Sequence, residues 1–184
     1  AKMWLHVGFL QINQEKMAKS AANFITIKDA LKELSPEVLR LFFLLGHYRS
    51  PLDHTPSNIA AATNGLCRFY TALRNLPVME PLPDTIYDKK FIAAMDDDFN
   101  TPSAIAILFE LVAKINQLKT TCLQEAGRFG ALLKSLSAVL GFGQVPPEEF
   151  FQSGLDKHEI EQLIAQRNAA RAAKNWHEAD VIRD

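Results

Sequence analysis

Apolar residues recur at three- and four-residue steps through the middle of the chain, which is the spacing of one face of an α-helix. One such stripe follows Thr55, a second follows Thr101, and a third ends at Gly141. The three stripes consist of Ile59, Ala62, Leu66, Phe69, Tyr70, Leu73 and Leu76, then Ile105, Leu108, Val112, Ile115 and Leu118, then Phe129, Leu132, Leu133, Leu136, Val139 and Leu140. Because each apolar face needs a partner, the pattern predicts a helix bundle.

Three pairs of a hydroxyl residue and a proline mark predicted helix starts, namely Ser35-Pro36, Thr55-Pro56 and Thr101-Pro102. The hydroxyl is expected to be the N-cap, and proline suits the first helical position, where its missing N–H group costs nothing. Gly141 suits the left-handed conformation that follows a helix end.

The two ends of the chain follow other patterns. Residues 3–12 predict a β-strand whose partners we expect outside this chain, and a polar loop follows at 13–23. Prolines and glycines at 141–154 predict a linker with one helical turn near 148–151. A smaller basic helix and a second helix from Trp176 come next, without a C-terminal cap, so we expect a piece of a longer protein.

Composition narrows the class of protein. With 184 residues, 48% of them hydrophobic, the chain can bury a core, and its longest apolar tract is too short for a membrane span. A formal net charge of −1 predicts that any contact with nucleic acid comes from local basic clusters. Cys67 and Cys122 have no partner at metal spacing, so we interpret both as small core residues. Without a secretory leader, we expect a cytoplasmic location.

Lysines three residues apart are the first candidate for chemistry, in Lys16-Met17-Ala18-Lys19-Ser20. Taken alone, these five residues favour a solvated surface loop. The alternative is that two ammonium groups close over a triphosphate and offset the charge that develops on departing pyrophosphate.

Two other clusters contain charged residues. Asp96, Asp97 and Asp98 suggest magnesium, but we favour a structural role, because negative charge stabilises the start of the helix that follows. Arg171, Lys174, Trp176 and Asp180 form a basic and aromatic corner with the chemistry that reads single-stranded RNA. The alternative is that Trp176 packs the corner and the charges are solvated.

The lysine tract resembles the Lys-Met-Ser-Lys-Ser signature of class I aminoacyl-tRNA synthetases, and its surroundings are similar to the cysteinyl-tRNA synthetase family. The resemblance runs in order through nearly the whole chain. The matching residues are Trp4-Leu5-His6, Gly8-Phe9, Asn23-Phe24, 46–52, 70–74, 95–102, 136–141 and 176–180. In this chain Ala18 replaces the middle serine of the signature and so lacks the hydroxyl that could order the loop.

This resemblance implies ligation of cysteine to its tRNA in two steps, through a cysteinyl adenylate made with ATP. It implies that Lys19 contacts ATP, that Lys16 is a second stabiliser of the phosphates, and that Ser20 belongs to the same site. It also implies that Arg171, Trp176 and Asp180 read the anticodon. The family's zinc ligands and its first ATP-binding motif lie upstream, so we expect no metal site in this segment and no activity from it alone.

Arg40 and the turn at 47–50 are weaker candidates for contact with tRNA. Arg40 lies in a segment that resembles the Asp-Ala-Leu-Arg type of helical anticodon-binding domain, and we favour a structural role over tRNA contact because an arginine in an apolar helix needs a polar partner. The basic turn at 47–50 could face tRNA or could simply be solvated.

The predicted fold is mainly α. Residues 1–34 are expected to end a Rossmann-like class I catalytic fold, 35–142 to form the helical tRNA-binding bundle, 143–155 to be a linker, and 156–184 to be part of an anticodon-reading domain. Expected partners are the cysteine tRNA, ATP and cysteine, in a monomer without membrane contact. Two alternatives are a free-standing, non-catalytic RNA-binding helical module derived from such an enzyme, and another class I synthetase such as the arginyl enzyme.

Overall fold

The computed structural model describes residues 2, 4–18, 23–152, 165–168, 170–171 and 175. The chain divides into two compact units, residues 1–144 and residues 145–184. The first unit contains β1 Leu10–Ile12, β2 Glu15–Lys16, α1 Ile27–Glu33, α2 Pro36–Leu44, β3 Leu52–Asp53, α3 Pro56–Leu73, α4 Ile86–Asp96, α5 Thr101–Leu118 and α6 Leu123–Leu140. The second contains α7 Pro147–Gln152 and further helical residues at 165–168 and 170–171. The prediction of a mainly α fold is confirmed.

Helices α3, α4, α5 and α6 form the core of the first unit, with α5 packed against the other three. Every member of the stripe predicted for α5 is buried, because an 18-residue helix surrounded by neighbours has little surface left for water. The stripes of α3 and α6 are also largely buried. Ile59 and Leu76 are only half-buried, and Val139 is 68% exposed, so its assignment to the core was wrong.

Capping explains where most of these helices begin. The hydroxyls of Ser35 and Thr55 accept hydrogen bonds from the backbone N–H groups of Val38 and Asn58, as predicted. The start of α5 differs from the prediction by one residue. Asn100 is the N-cap, its side chain accepting from the N–H of Ser103, and Thr101 is already helical.

Helices α1 and α4 were not predicted, although each has an N-terminal cap. Thr26 caps α1 by accepting from the N–H of Asp29. Thr85 and Asp88 form a reciprocal capping box at the start of α4. The apolar pattern of α4 is weak, with Phe91 its only residue buried in the structure, which is why periodicity alone missed it.

A small sheet has the order β2-β1-β3, with β1 antiparallel to β2 and parallel to β3. The predicted strand at 3–12 is therefore much shorter, and this chain itself supplies two partners for it, contrary to the expectation. Asn13 and Gln14, both with positive φ, make the tight turn between β1 and β2. Lys16 accordingly lies on a strand and not in a loop.

The end of α6 and the residues after it complete the packing. Gly141 has φ +75°, the left-handed conformation that was predicted. Phe142 is buried against Phe69, with ring centroids 5.4 Å apart. The amide of Gln144 donates to the carbonyl oxygen of Lys134 and to the hydroxyl of Ser137. The first residues of the predicted linker are thus part of the packed unit.

Candidate functional site

Lys16 lies at the exposed edge of the sheet, at the end of the β1–β2 hairpin. Gln11 is its partner across the ladder. Its ammonium nitrogen is 3.9 Å from the centroid of the Phe9 ring, a distance at which the cation is attracted to the ring face. Lys16 is exposed to solvent, whereas Lys19 and Ser20 lie outside the described residues, so the roles given to these residues stay predictions.

The side chain of Asn23 contacts the backbone of Lys16 and of Ala18. Its amide nitrogen donates to the carbonyl oxygen of Lys16 at 3.3 Å, and its amide oxygen accepts from the N–H of Ala18 at 2.9 Å. The N–H of Met17 also donates to the carbonyl oxygen of Leu10 at 2.9 Å. The backbone on both sides of Met17 is therefore held in place without the hydroxyl that Ala18 lacks.

Asp53 on β3 supports the hairpin from the other side. One carboxylate oxygen accepts from the N–H of Gln14 at 3.2 Å, and the second is buried with no hydrogen-bond partner among the described residues. Its backbone carbonyl oxygen accepts from the side chain of Asn58 at 2.8 Å. Sequence reasoning missed Asp53 because 39 residues separate it from Gln14.

A cavity of about 640 Å³ opens between β1, α1 and the start of α3. Its walls include Ile12, Phe24 and Ile59, and its polar groups include the carboxylates of Asp29 and Glu33. A hydrogen bond from Lys32, which has the larger effect, and a second from Thr26 hold the pKa of Asp29 below its usual value. Two carboxylates repel a polyphosphate, so this cavity does not suit the phosphates of a nucleotide.

Asp98 connects the turn at 47–50 to the corner between α4 and α5. Its carboxylate accepts from the hydroxyl of Tyr48 at 2.6 Å and from Arg49, whose Nε is 3.0 Å from the second oxygen. The hydrogen bond to Tyr48 and the charge of Asp98 both raise the pKa of Arg49. Because Arg49 is paired in this way, the turn joins two parts of the unit and is not a simple solvated turn.

The other aspartates of this cluster lie at a helix end. Asp96 is the last residue of α4, and Asp97 is its C-cap. The N-cap of α5 is Asn100, whose side-chain amide donates to the carboxylate of Asp97 at 3.4 Å. Asp97 therefore lies next to the start of α5, and the structural role favoured for these aspartates stays a prediction. Asp98 itself has a positive φ of 53°, an uncommon conformation for a residue with a side chain.

Arg40 and the two cysteines have simpler surroundings. The guanidinium of Arg40 lies 3.2 Å from the position that a Cβ on Gly141 would occupy, next to the C-terminal end of α6, where a cation is favourable. Cys67 is half-buried and Cys122 is exposed at the N-cap position of α6, so the interpretation of Cys122 as a core residue was wrong.

The basic and aromatic corner is only partly described. Arg171 is exposed on a helical segment of the second unit. Lys174, Trp176 and Asp180 lie outside the described residues. Their assignment as readers of an anticodon stays a prediction.

No helix within the described ranges is long and apolar enough to cross a membrane. The same ranges contain no group of three histidine, cysteine, aspartate or glutamate side chains placed to hold a metal ion.

Comparison with known proteins agrees with this geometry. Residues 1–64 match the family described as tRNA synthetases class I (C) catalytic domain, and residues 90–144 match the DALR domain. A crystal structure of the ternary complex of Agrobacterium radiobacter LeuRS, tRNA and LeuAMS has a TM-score of 0.59 at 19% identity, covering 82% of this chain and 22% of that one. This similarity is evidence for the fold. The chain belongs to the class I aminoacyl-tRNA synthetases.

More similar sequences identify the family within that class. Cysteine--tRNA ligases of Azotobacter vinelandii and Pseudomonas aeruginosa are 46% and 47% identical over 188 residues, and that of Coxiella burnetii is 48% identical over 187 residues. Each alignment covers 100% of this chain. The chain belongs to the cysteinyl-tRNA synthetase family. It spans 41% of the length of each of these relatives.

Proposed function

We propose that this chain is part of an enzyme that joins cysteine to its tRNA through a cysteinyl adenylate. Lys16 and Lys19 stabilise the triphosphate of ATP and the pyrophosphate that leaves, with Ser20 in the same site. The observation that carries the proposal is the exposed ammonium group of Lys16 at the end of a hairpin supported by Asn23 and Asp53. A cation held on a rigid element stabilises developing negative charge with little reorganisation.

The two units of the chain have different proposed roles. The first unit supplies the phosphate-contacting lysines and helices that bind tRNA, and Arg171, Trp176 and Asp180 of the second read the anticodon. ATP and cysteine are substrates. Zinc, if the whole protein uses it, is held by residues outside this segment. We expect the protein to act as a cytoplasmic monomer.

The first test is cysteine-dependent exchange of pyrophosphate into ATP by the intact protein. Lys16→Ala and Lys19→Ala should each lower the exchange rate by roughly 10²–10³-fold, since each removes a charge that acts in the transition state. Lys28→Ala, which removes an exposed lysine of α1, is the matched control and should retain wild-type exchange. Wild-type exchange rates in both signature variants would refute the roles given to these lysines.

The anticodon assignment needs a separate measurement. Trp176→Ala should weaken charging of tRNA by the intact protein while pyrophosphate exchange is retained, because base stacking on an aromatic ring is worth about 1–3 kcal/mol per base. Equal loss of both activities would show that Trp176 supports folding and does not read RNA.

A further inference from the structure

A polar groove runs along the surface between α3 and α5, and none of its lining residues belongs to the hairpin that carries Lys16. Its volume is about 390 Å³, and it is lined by Asn64, Cys67, Arg68 and Thr71 of α3 and by Asn116 of α5. These residues include a guanidinium, two amides and a hydroxyl, and no carboxylate. The hydroxyl of Thr71 donates to the carbonyl oxygen of Cys67 at 2.7 Å, so the guanidinium and the two amides are the groups left to donate to a ligand, and the groove is positive.

Helix geometry places these residues together. Asn64, Arg68 and Thr71 are spaced four and three residues apart, which puts them on one face of α3. The opposite face carries Leu66 and Phe69 into the core. On α5, Asn116 follows the buried Ile115 and lies at the surface. The groove is thus the solvent side of the contact between two helices that pack tightly below it.

Arg68, which lines the groove, and Lys119, which bonds to the backbone of Thr71 beside it, are both held by neighbouring residues. The guanidinium carbon of Arg68 lies 5.2 Å from the centroid of the Phe109 ring, a contact that restricts the side chain but leaves its N–H groups available. The ammonium of Lys119 donates to the carbonyl oxygens of Thr71 at 2.9 Å and Arg74 at 2.8 Å. Glu110, the carboxylate next to Phe109, is paired with Lys90 at 3.0 Å, so it does not cancel these charges.

The amides of the groove have unused hydrogen-bonding capacity. Within the part of the chain that the structure describes, the side chains of Asn64 and Asn116 bond to no other residue. An amide can donate to a phosphate oxygen and accept from a ribose 2′-hydroxyl, and Arg68 can donate twice to one phosphate. A peptide partner would need apolar anchors, which these side chains do not offer.

We infer that the groove between α3 and α5 binds the ribose–phosphate backbone of the tRNA. This inference rests on the proposed function, which requires a tRNA, and it names the surface of the first unit that the tRNA covers. Arg68 contacts a phosphate, and Asn64 and Asn116 contact the neighbouring sugar–phosphate groups. Contacts of this kind position an RNA without reading its sequence.

The two cysteines allow a direct test, because Cys67 lines the groove and Cys122 is an exposed residue outside it. The intact protein is alkylated with iodoacetamide, with and without a saturating transcript of the cysteine tRNA, and each cysteine is quantified by peptide mass spectrometry. The tRNA should slow alkylation of Cys67 several-fold and leave Cys122 unchanged. An unchanged rate at Cys67 in the saturated complex would overturn the inference.

Charge reversal gives a second, independent measurement. Arg68→Glu in the intact protein should weaken tRNA binding roughly tenfold or more and reduce the slope of log affinity against log salt by about one. Arg128→Glu reverses an exposed arginine on α6 and is the matched control, with wild-type affinity expected. Circular dichroism and the unfolding midpoint check that both variants are folded.

The outcomes separate this inference from the proposed function. If the wild-type protein binds no tRNA, the proposed function itself fails. If the wild-type protein binds tRNA and Arg68→Glu binds it equally well, only the groove assignment fails. Arg68→Gln, which removes the charge without reversing it, should give an intermediate loss.

Discussion

The helix bundle and the segment from residue 4 to residue 33 are stabilised in different ways. Helices α5 and α6 each bury eight or nine residues, whereas α1 buries none. In the earlier segment, apolar side chains such as Trp4, Val7 and Ile27 are mostly exposed. The bundle is therefore held by its own apolar core, and the sheet and α1 depend on backbone hydrogen bonds and close contacts.

This difference suits the chemistry proposed for each part. A segment that contacts ATP needs its cation held in position, and the backbone hydrogen bonds around Lys16 do this without a large apolar core. A surface that aligns a tRNA benefits from rigid helices. Lys16 and the α3–α5 groove accordingly lie in the two contrasting regions.

The largest expected effect tests the packing of the bundle. Leu111 of α5 is fully buried, and Leu111→Ala should destabilise the chain by about 2–5 kcal/mol, because it removes apolar contacts and leaves a cavity. Urea denaturation measures the change. The matched substitution Leu31→Ala in α1, where the side chain is 43% exposed, should cost under about 1 kcal/mol. Equal losses would mean that the two regions do not differ as described.

A smaller loss of stability is expected at Gly8, where the backbone before the sheet lies against the backbone of Ser50. A Cβ on Gly8 would lie 2.1 Å from the carbonyl oxygen of Ser50, so Gly8→Ala forces the two backbone segments apart. We expect a loss of about 1–3 kcal/mol and faster hydrogen exchange at the N–H of Leu52, which donates to the carbonyl oxygen of Phe9.

Gly65 on α3 is the matched control for this glycine. A Cβ there would lie 3.3 Å from the tip of the Phe109 side chain and 3.6 Å from Cδ2 of Leu41, and it would meet no backbone of another element. Gly65→Ala should change stability by less than about 1 kcal/mol, because alanine favours the helix and offsets the close contact. A larger loss for Gly65→Ala than for Gly8→Ala would contradict the view that backbone contacts hold the sheet region.

The smallest effect concerns the acid sensitivity of α1. Hydrogen bonds from Lys32 and Thr26 lower the pKa of Asp29 from 3.8, so the unfolded segment binds a proton more readily than the folded one. The stabilisation is complete above the unfolded pKa and is lost as pH falls through the folded value. NMR of the α1 amides between about pH 5 and pH 2 should show this loss. Asp29→Asn should remove the step, and an unaltered step would contradict the assignment.

Much of the bundle could be predicted from the sequence because its signals are local. The stripes of α3 and α5 depend on spacings of three and four residues, and the caps Ser35 and Thr55 bond to groups three residues away. Signals that consist of only two residues located the helix ends less accurately. A proline helix start did not distinguish Asn100 from Thr101 as the N-cap, since the one-residue offset depends on the turn before the helix.

The candidate site was predictable only in part. Lys16 was found through the spacing of two lysines and the resemblance of its surroundings to a known signature. Asp53 was not identified, and Asn23 was named only as part of the resemblance, because a single asparagine or aspartate has no distinctive pattern that would indicate its role in holding the hairpin. The pairing of Arg49 with Asp98 joins residues 49 positions apart, and no local spacing indicates it.

The amino-acid sequence by itself determined the class of fold, the helices with strong apolar periodicity, and the lysine signature, because each of these depends on residues within a few positions of one another. The tertiary structure decided that Val139 faces solvent, that Asp98 joins a turn to a helix corner, and that Arg68 and Asn116 line one groove. These outcomes depend on which surfaces of separate helices come into contact. Such contacts are set by the packing of the whole unit and not by any one segment of it.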